Sequence, residues 1–212
     1  MARARDPRLR LILITDGRGD LERVAAVVEA VLAGGVRCVQ LREPRWTARA
    51  LLRACERLTP QLDACGGLLL VNDRVDVAAT RVAHGAHIGH RSLPPELARE
   101  VLGPRAVLGY SAHDADELAT AAQGGCDFAL LSPVWPTTSK PDAAFLGPAR
   151  AALLTVGARL PVVWLGGIDE QTVLELAALP PTSRPVGLAV RSALMRADDP
   201  AAAARALLAA QA

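Results

Sequence analysis

Polar side chains able to do chemistry fall along this chain in short groups, and one group stands apart. The stretch Ser132-Pro133-Val134-Trp135-Pro136-Thr137-Thr138-Ser139-Lys140 holds the only lysine, while every other one of the 24 basic side chains is an arginine. A compact ammonium beside the hydroxyls of Thr137, Thr138 and Ser139 suits phosphate oxygens as a point-charge partner. Further on, Gly166-Gly167 gives the backbone room to approach a ligand, and the helix start after it offers N–H groups to an anion. Arg191-Ser192 would complete that site. These groups point to a phosphorylated small-molecule ligand.

The remaining candidates are Asp16, Gln40, Arg42, Asn72, Asp73, His87, His90, Ser92, Ser111 and His113. Several have a plainer reading. Asn72 and Asp73 could cap a short helix, His113 could serve a turn or cap, and Arg42 could pair with a carboxylate in a structural network. His87 lies inside an apolar strand and reads as packed, and His84 reads as a surface residue.

The elements that must position these groups alternate along the whole length. Apolar runs at 9–15, 36–41, 67–71, 85–88, 106–110, 127–131, 160–165 and 186–190 predict eight strands. Three- and four-residue apolar spacing predicts helices at 21–33, 47–61, 75–81, 94–102, 114–123, 169–179 and 200–210, the first capped by Asp20 and stopped at Gly34-Gly35. Near-continuous apolar strands alternating with helices imply a parallel sheet covered by helices. Eight repeats predict a single α/β (β/α)8 TIM barrel over 9–212, preceded by a basic, flexible extension at 1–8. No glycine-rich dinucleotide fingerprint follows the first strand. In such a barrel, function collects where strands end, and nearly every polar interruption falls there.

Composition narrows the class. Hydrophobic residues make up 51% of the chain and charged residues 22%, as in a soluble globular protein, and a net charge of +2 excludes a broad nucleic-acid or anionic-membrane surface. No apolar run reaches the ~18 residues of a membrane span. Cys38, Cys55, Cys65 and Cys126 form no C-x-x-C pair and have no histidines at zinc spacing, so they read as buried free thiols in a reducing compartment. A cytoplasmic location is expected.

Six motifs then come in a familiar order: Leu13-Ile14-Thr15-Asp16, Val39-Gln40-Leu41-Arg42-Glu43, Val71-Asn72-Asp73-Arg74-Val75-Asp76, Gly109-Tyr110-Ser111-Ala112-His113, the Pro133 to Lys140 stretch, and Leu165-Gly166-Gly167-Ile168. From Leu9 onward the chain resembles the thiamine phosphate synthase/TenI superfamily. That resemblance implies a barrel handling thiamine precursors. The synthase joins a thiazole phosphate to a hydroxymethylpyrimidine diphosphate and expels magnesium-bound diphosphate. The TenI branch includes thiazole tautomerases, which need no metal.

By resemblance, Gln40, Arg42, Asn72, Ser111 and Lys140 match pyrimidine-diphosphate positions. Thr137, Ser139, Gly167, Arg191 and Ser192 match the thiazole-phosphate side, with Gly166 a further substrate-binding candidate, and His113 matches the tautomerase's acid/base histidine. Two departures from the synthase pattern tilt the expectation. Pro44 stands where the synthase has a lysine, with Arg45 beside it. Ser92 stands where the synthase has its second magnesium carboxylate, leaving Asp73 as the metal carboxylate, with Arg91 nearby. The expectation is therefore a TenI-like thiazole tautomerase, an isomerase with His113 as acid/base and no cofactor. The alternatives are the synthase itself, using Mg2+, a non-catalytic precursor binder, or another phosphate-binding barrel. The expected partner is a small phosphorylated substrate. Neither nucleic acid nor membrane is expected, and two copies could pair as a homodimer.

Overall fold

A computed structural model describes residues 6–137 and 144–211. Eight parallel strands close into one barrel in sequence order, with β1 hydrogen-bonded to both β2 and β8. The strands are β1 (Leu11–Ile14), β2 (Cys38–Leu41), β3 (Leu68–Asn72), β4 (Gly85–Ile88), β5 (Val107–Ala112), β6 (Phe128–Leu131), β7 (Val162–Leu165) and β8 (Gly187–Val190). The covering helices are α1 (Leu21–Ala33), α2 (Ala48–Ala64), α3 (Val75–Ala79), α4 (Pro95–Leu102), α5 (Ala115–Gln123), α6 (Pro148–Gly157), α7 (Glu170–Glu175), α8 (Ser192–Met195) and α9 (Pro200–Ala209). The predicted (β/α)8 barrel is the observed fold.

Local chemistry starts the helices. The Asp20 carboxylate accepts from the Glu22 and Arg23 amides, Thr47 caps α2, Asp114 caps α5, and Asp169 with Thr172 forms a reciprocal capping box on α7. Two helices, α6 and α8, were not predicted; α6 opens on Pro148 straight after the loop that follows β6. Leu9 belongs to a 3-10 turn, Pro7–Arg10, rather than to the first strand.

Period-two alternation divides the core in two. Leu11 and Leu13 face the helices, while Ile12, Ile14, Cys38, Leu68, Leu70, Phe128, Leu130, Val163 and Ala189 fill the barrel interior. Gln40, Asn72, His87, Ser111 and Arg191 share the inward parity, so the alternation that fills the core also aims polar groups at the mouth.

His87 is the exception inside that core. It is 1% exposed, and burial pushes its imidazole pKa down to about 4, against the opposing pull of Asp73. The unfolded chain therefore binds a proton below pH ~6.5 that the folded chain refuses until about pH 4. Stability is full above pH 6.5 and falls on acidification through that window, by about 3 kcal/mol at pH 4. Urea unfolding at pH 7 and pH 4 should show this loss in the native chain and not in His87→Leu; equal losses in both would contradict it.

Candidate active site

A cavity of about 290 Å³ opens at the C-terminal ends of the strands. Ile14, Leu130 and Leu165 supply apolar walls, and Gln40, Arg42, Asn72, Asp73, Ser111, His113, Thr137, Gly166 and Arg191 line it with them. Nine residues expected from sequence thus converge on one pocket, and His90, also expected, lines it with them. Arg91, Ser132 and Pro133 join them; their strand-end positions were the signal. Gly167 and Ser192 do not line the cavity. Lys140 and Ser139 lie outside the described residues.

Hydrogen bonds fix one wall. The Gln40 amide donates from Nε2 to Asn72 Oδ1 at 2.7 Å, and Asn72 Nδ2 donates to Asp73 Oδ2 at 2.7 Å. The Ser92 hydroxyl donates to the other oxygen of Asp73. Asp73 holds a left-handed backbone, φ 60°, which short polar side chains tolerate better than most, and its amide donates to the His87 carbonyl at 2.9 Å. Neither Asn72 nor Asp73 caps α3, whose N-cap is Arg74 with no side-chain bond. The helix-cap reading of that pair is excluded.

His113 is likewise no cap; Asp114 fills that role. Glu117 Oε2 accepts from the His113 amide at 2.7 Å and lies 2.8 Å from Nδ1. One carboxylate oxygen so pins both backbone and ring, leaving Nε2 as the ring nitrogen available to the pocket. The His90 ring stands edge-on to His113, centroids 6.4 Å apart.

Positive charge collects here. Arg42, Arg91 and Arg191 line the pocket and, among the described residues, face a single lining carboxylate, Asp73. Among the described residues no carboxylate pairs with the Arg42 guanidinium, so the structural-network reading does not hold; its backbone amide donates to Thr15 Oγ1 at 2.8 Å. Burial, and then the neighbouring Arg42 and Arg196, lower the pKa of Arg191. Cations this close to each other favour an anion between them. Of the two arginines near the altered motifs, Arg91 lines the cavity and Arg45 is exposed outside it. Asp16 instead binds Arg23 at 2.8 Å, facing α1. Buried Glu43 accepts from the Gly17 and Gly19 amides at 3.3 and 3.1 Å and braces the β1–α1 loop. His84 bonds Asp63 away from the site.

The glycines after β7 serve a different approach from the one expected. A β carbon on Gly167 would fall 2.4 Å from the Pro136 carbonyl oxygen, and one on Gly166 would fall 2.8 Å from Pro133. With φ at 67° and 103°, they let the β7–α7 loop run against the loop after β6, joined by Val134 N to Leu165 O and Trp135 N to Gly166 O at 3.0 and 3.1 Å. The tight contact is loop against loop.

Magnesium takes one or two carboxylates together with substrate phosphates and water. Asp73, oriented by Asn72 and Ser92 at the cavity rim, fits an ion that arrives with a diphosphate. Among the described residues no group of three or more histidine, cysteine or acidic side chains gathers into a metal cage.

A family model described as thiamine monophosphate synthase matches residues 11–194. The chain belongs to that family. A Laribacter hongkongensis protein named thiamine-phosphate synthase is 40% identical over 205 residues, covering 96% of this chain and 95% of that one. A Mycobacterium bovis protein of the same name is 40% identical over 209 residues, covering 93% and 92%. The solved thiamine phosphate pyrophosphorylase of Pyrococcus furiosus superposes with a TM-score of 0.84 at 28% identity, covering 97% and 96%. These relatives overturn the TenI-like tautomerase expectation, and with it the isomerase assignment. That expectation rested on Pro44 and Ser92. In the structure Ser92 remains a polar partner of Asp73, and Arg91 stands in the cavity, so neither departure empties the site.

Proposed function

We propose that this chain is a thiamine-phosphate synthase, joining a thiazole phosphate to hydroxymethylpyrimidine diphosphate. The observation that carries the reading is the charge of the cavity: among the described residues, three arginines face one carboxylate over an apolar floor. A substrate pair bearing a phosphate and a diphosphate supplies the matching anions, and two flat rings suit the floor.

In the reaction the thiazole nitrogen attacks the pyrimidine methylene carbon. The new C–N bond forms as the C–O bond breaks, and the electron pair leaves with diphosphate. Arg42, Arg91 and Arg191 bind the phosphate groups and lower the cost of charge developing on the leaving oxygens. Gln40, Asn72 and Ser111 offer donors and acceptors that orient the pyrimidine. Ile14, Leu130 and Leu165 exclude water from the reacting carbon, and His113, held by Glu117, presents Nε2 beside it. Asp73 and Ser92 would hold magnesium, which when bound neutralises diphosphate charge. By resemblance, Lys140, Ser139 and Thr137 would extend the anion contacts, while Gly166 and Arg191, which line the cavity, would face the thiazole phosphate.

The purified chain, given both substrates and magnesium, should form thiamine phosphate, measured by chromatography. A chelator should cut that rate by about 100-fold or more while thiazole phosphate still binds. No product at any magnesium concentration would refute the reading.

A further inference from the structure

One buried polar side chain beneath the cavity is left unexplained by packing. His87 lies on β4 between its register partners Asn72 on β3 and Gly109 on β5, with the Phe128 ring 5.8 Å away. A β carbon on Gly109 would fall 2.5 Å from His87 Nδ1 and 2.5 Å from the Phe128 ring. The sequence therefore gives up a core side chain at 109 to admit an imidazole at 87. A leucine at 87 would fill the same interior without leaving a polar nitrogen unsatisfied.

The ring has one polar contact. His87 Nε2 lies 2.9 Å from Ser111 Oγ, and Ser111 lines the cavity two residues along β5 from Gly109. Nδ1 is buried without a partner. Two tautomers satisfy the 2.9 Å contact. If Nδ1 carried the hydrogen, a donor would point at the Gly109 backbone with nothing to accept it, and Ser111 would spend its own proton on Nε2. If Nε2 carries it, the buried orphan is a lone pair, a less costly omission than an orphan N–H. Ser111 then accepts from below, and among the described residues nothing takes its own proton.

We propose that His87 is a positioning residue: by donating from Nε2 it turns the Ser111 hydroxyl so that the serine proton points into the cavity, onto an acceptor atom of the substrate. His87 touches no substrate itself. Gly109 is the space that makes the arrangement fit. The proposal depends on the synthase reading only for the identity of that substrate.

Two measurements test it. The first needs no substrate: long-range proton–nitrogen NMR correlation of the His87 ring in the native chain at pH 7 should show Nε2 protonated and Nδ1 bare. The reverse tautomer overturns the proposal. The second is a cycle in steady-state kinetics. His87→Leu and Ser111→Ala should each lower kcat/KM by about tenfold, and the double variant by no more than either alone. His87→Gln, whose amide N–H can reach Ser111, should recover part of the loss. Losses that multiply in the double variant, or a His87→Gln no better than His87→Leu, overturn the proposal. A native chain that forms no thiamine phosphate refutes the synthase reading instead, and the ring tautomer still decides the role of His87.

Discussion

Arg42→Ala should lower kcat/KM for thiamine phosphate formation by about 100- to 1000-fold and leave the unfolding midpoint where it was. The two outcomes separate because of where the side chain stands. Its guanidinium lines the cavity and has no carboxylate partner among the described residues, so the fold loses no ion pair when it goes. The substrate loses charge-assisted donors in a partly desolvated mouth, where such bonds are strongest. Arg45, three residues on and exposed outside the cavity, is the control: Arg45→Ala should stay within about twofold, as surface substitutions usually do. Rates for Arg42→Ala within threefold of the native chain would remove this residue from the site.

Gly187→Val should destabilise the barrel by about 4 kcal/mol or more, with no direct effect on any residue at the mouth. Gly187 opens β8 and pairs with Val163 of β7. A β carbon there would fall 1.9 Å from the Leu9 carbonyl oxygen and 2.7 Å from Arg10 Cα. Both neighbours are backbone, in the 3-10 turn that crosses the base of the barrel, and neither can swing aside. Either the turn lifts away or β8 shifts, and a closed sheet has no free edge to absorb the shift. Denaturant unfolding measures the loss; a change under 1 kcal/mol would show that the base yields more readily than its geometry implies.

Much of this was legible in the sequence, for reasons particular residues make clear. Eight apolar runs with polar residues at their ends sufficed for the barrel, because inward parity carries Gln40, Asn72 and Ser111 from core strand to cavity mouth without a break. Helix α6 was not legible because its apolar residues follow a proline-rich loop and no side-chain cap marks its start. Gly167 was expected to let the backbone approach a ligand and instead meets the Pro136 carbonyl, because which backbone comes near a glycine does not show in sequence. The branch of the family was misjudged for a related cause. Ser92 and Pro44 were weighed as lost charges at fixed positions. In three dimensions Ser92 stays bonded to Asp73 and Arg91 faces the cavity from the same loop, so the site keeps polar and cationic groups despite both exchanges. His87 read as packing because a buried histidine in an apolar strand usually is; only the short contact to Ser111 separates the two readings.

The 3-10 turn at the base has one more implication. Arg10, at its end, donates to the Leu208 carbonyl at 2.6 Å, so the first and last described elements meet on the face opposite the cavity. Every loop on that face links a helix to the next strand and carries none of the cavity residues. A short peptide tether between the ends, with new termini opened in the turn around Gly103 and Pro104, would therefore yield a circular permutant with its mouth unchanged. For protein engineers, the barrel offers a ring whose starting point can be chosen without touching its chemistry.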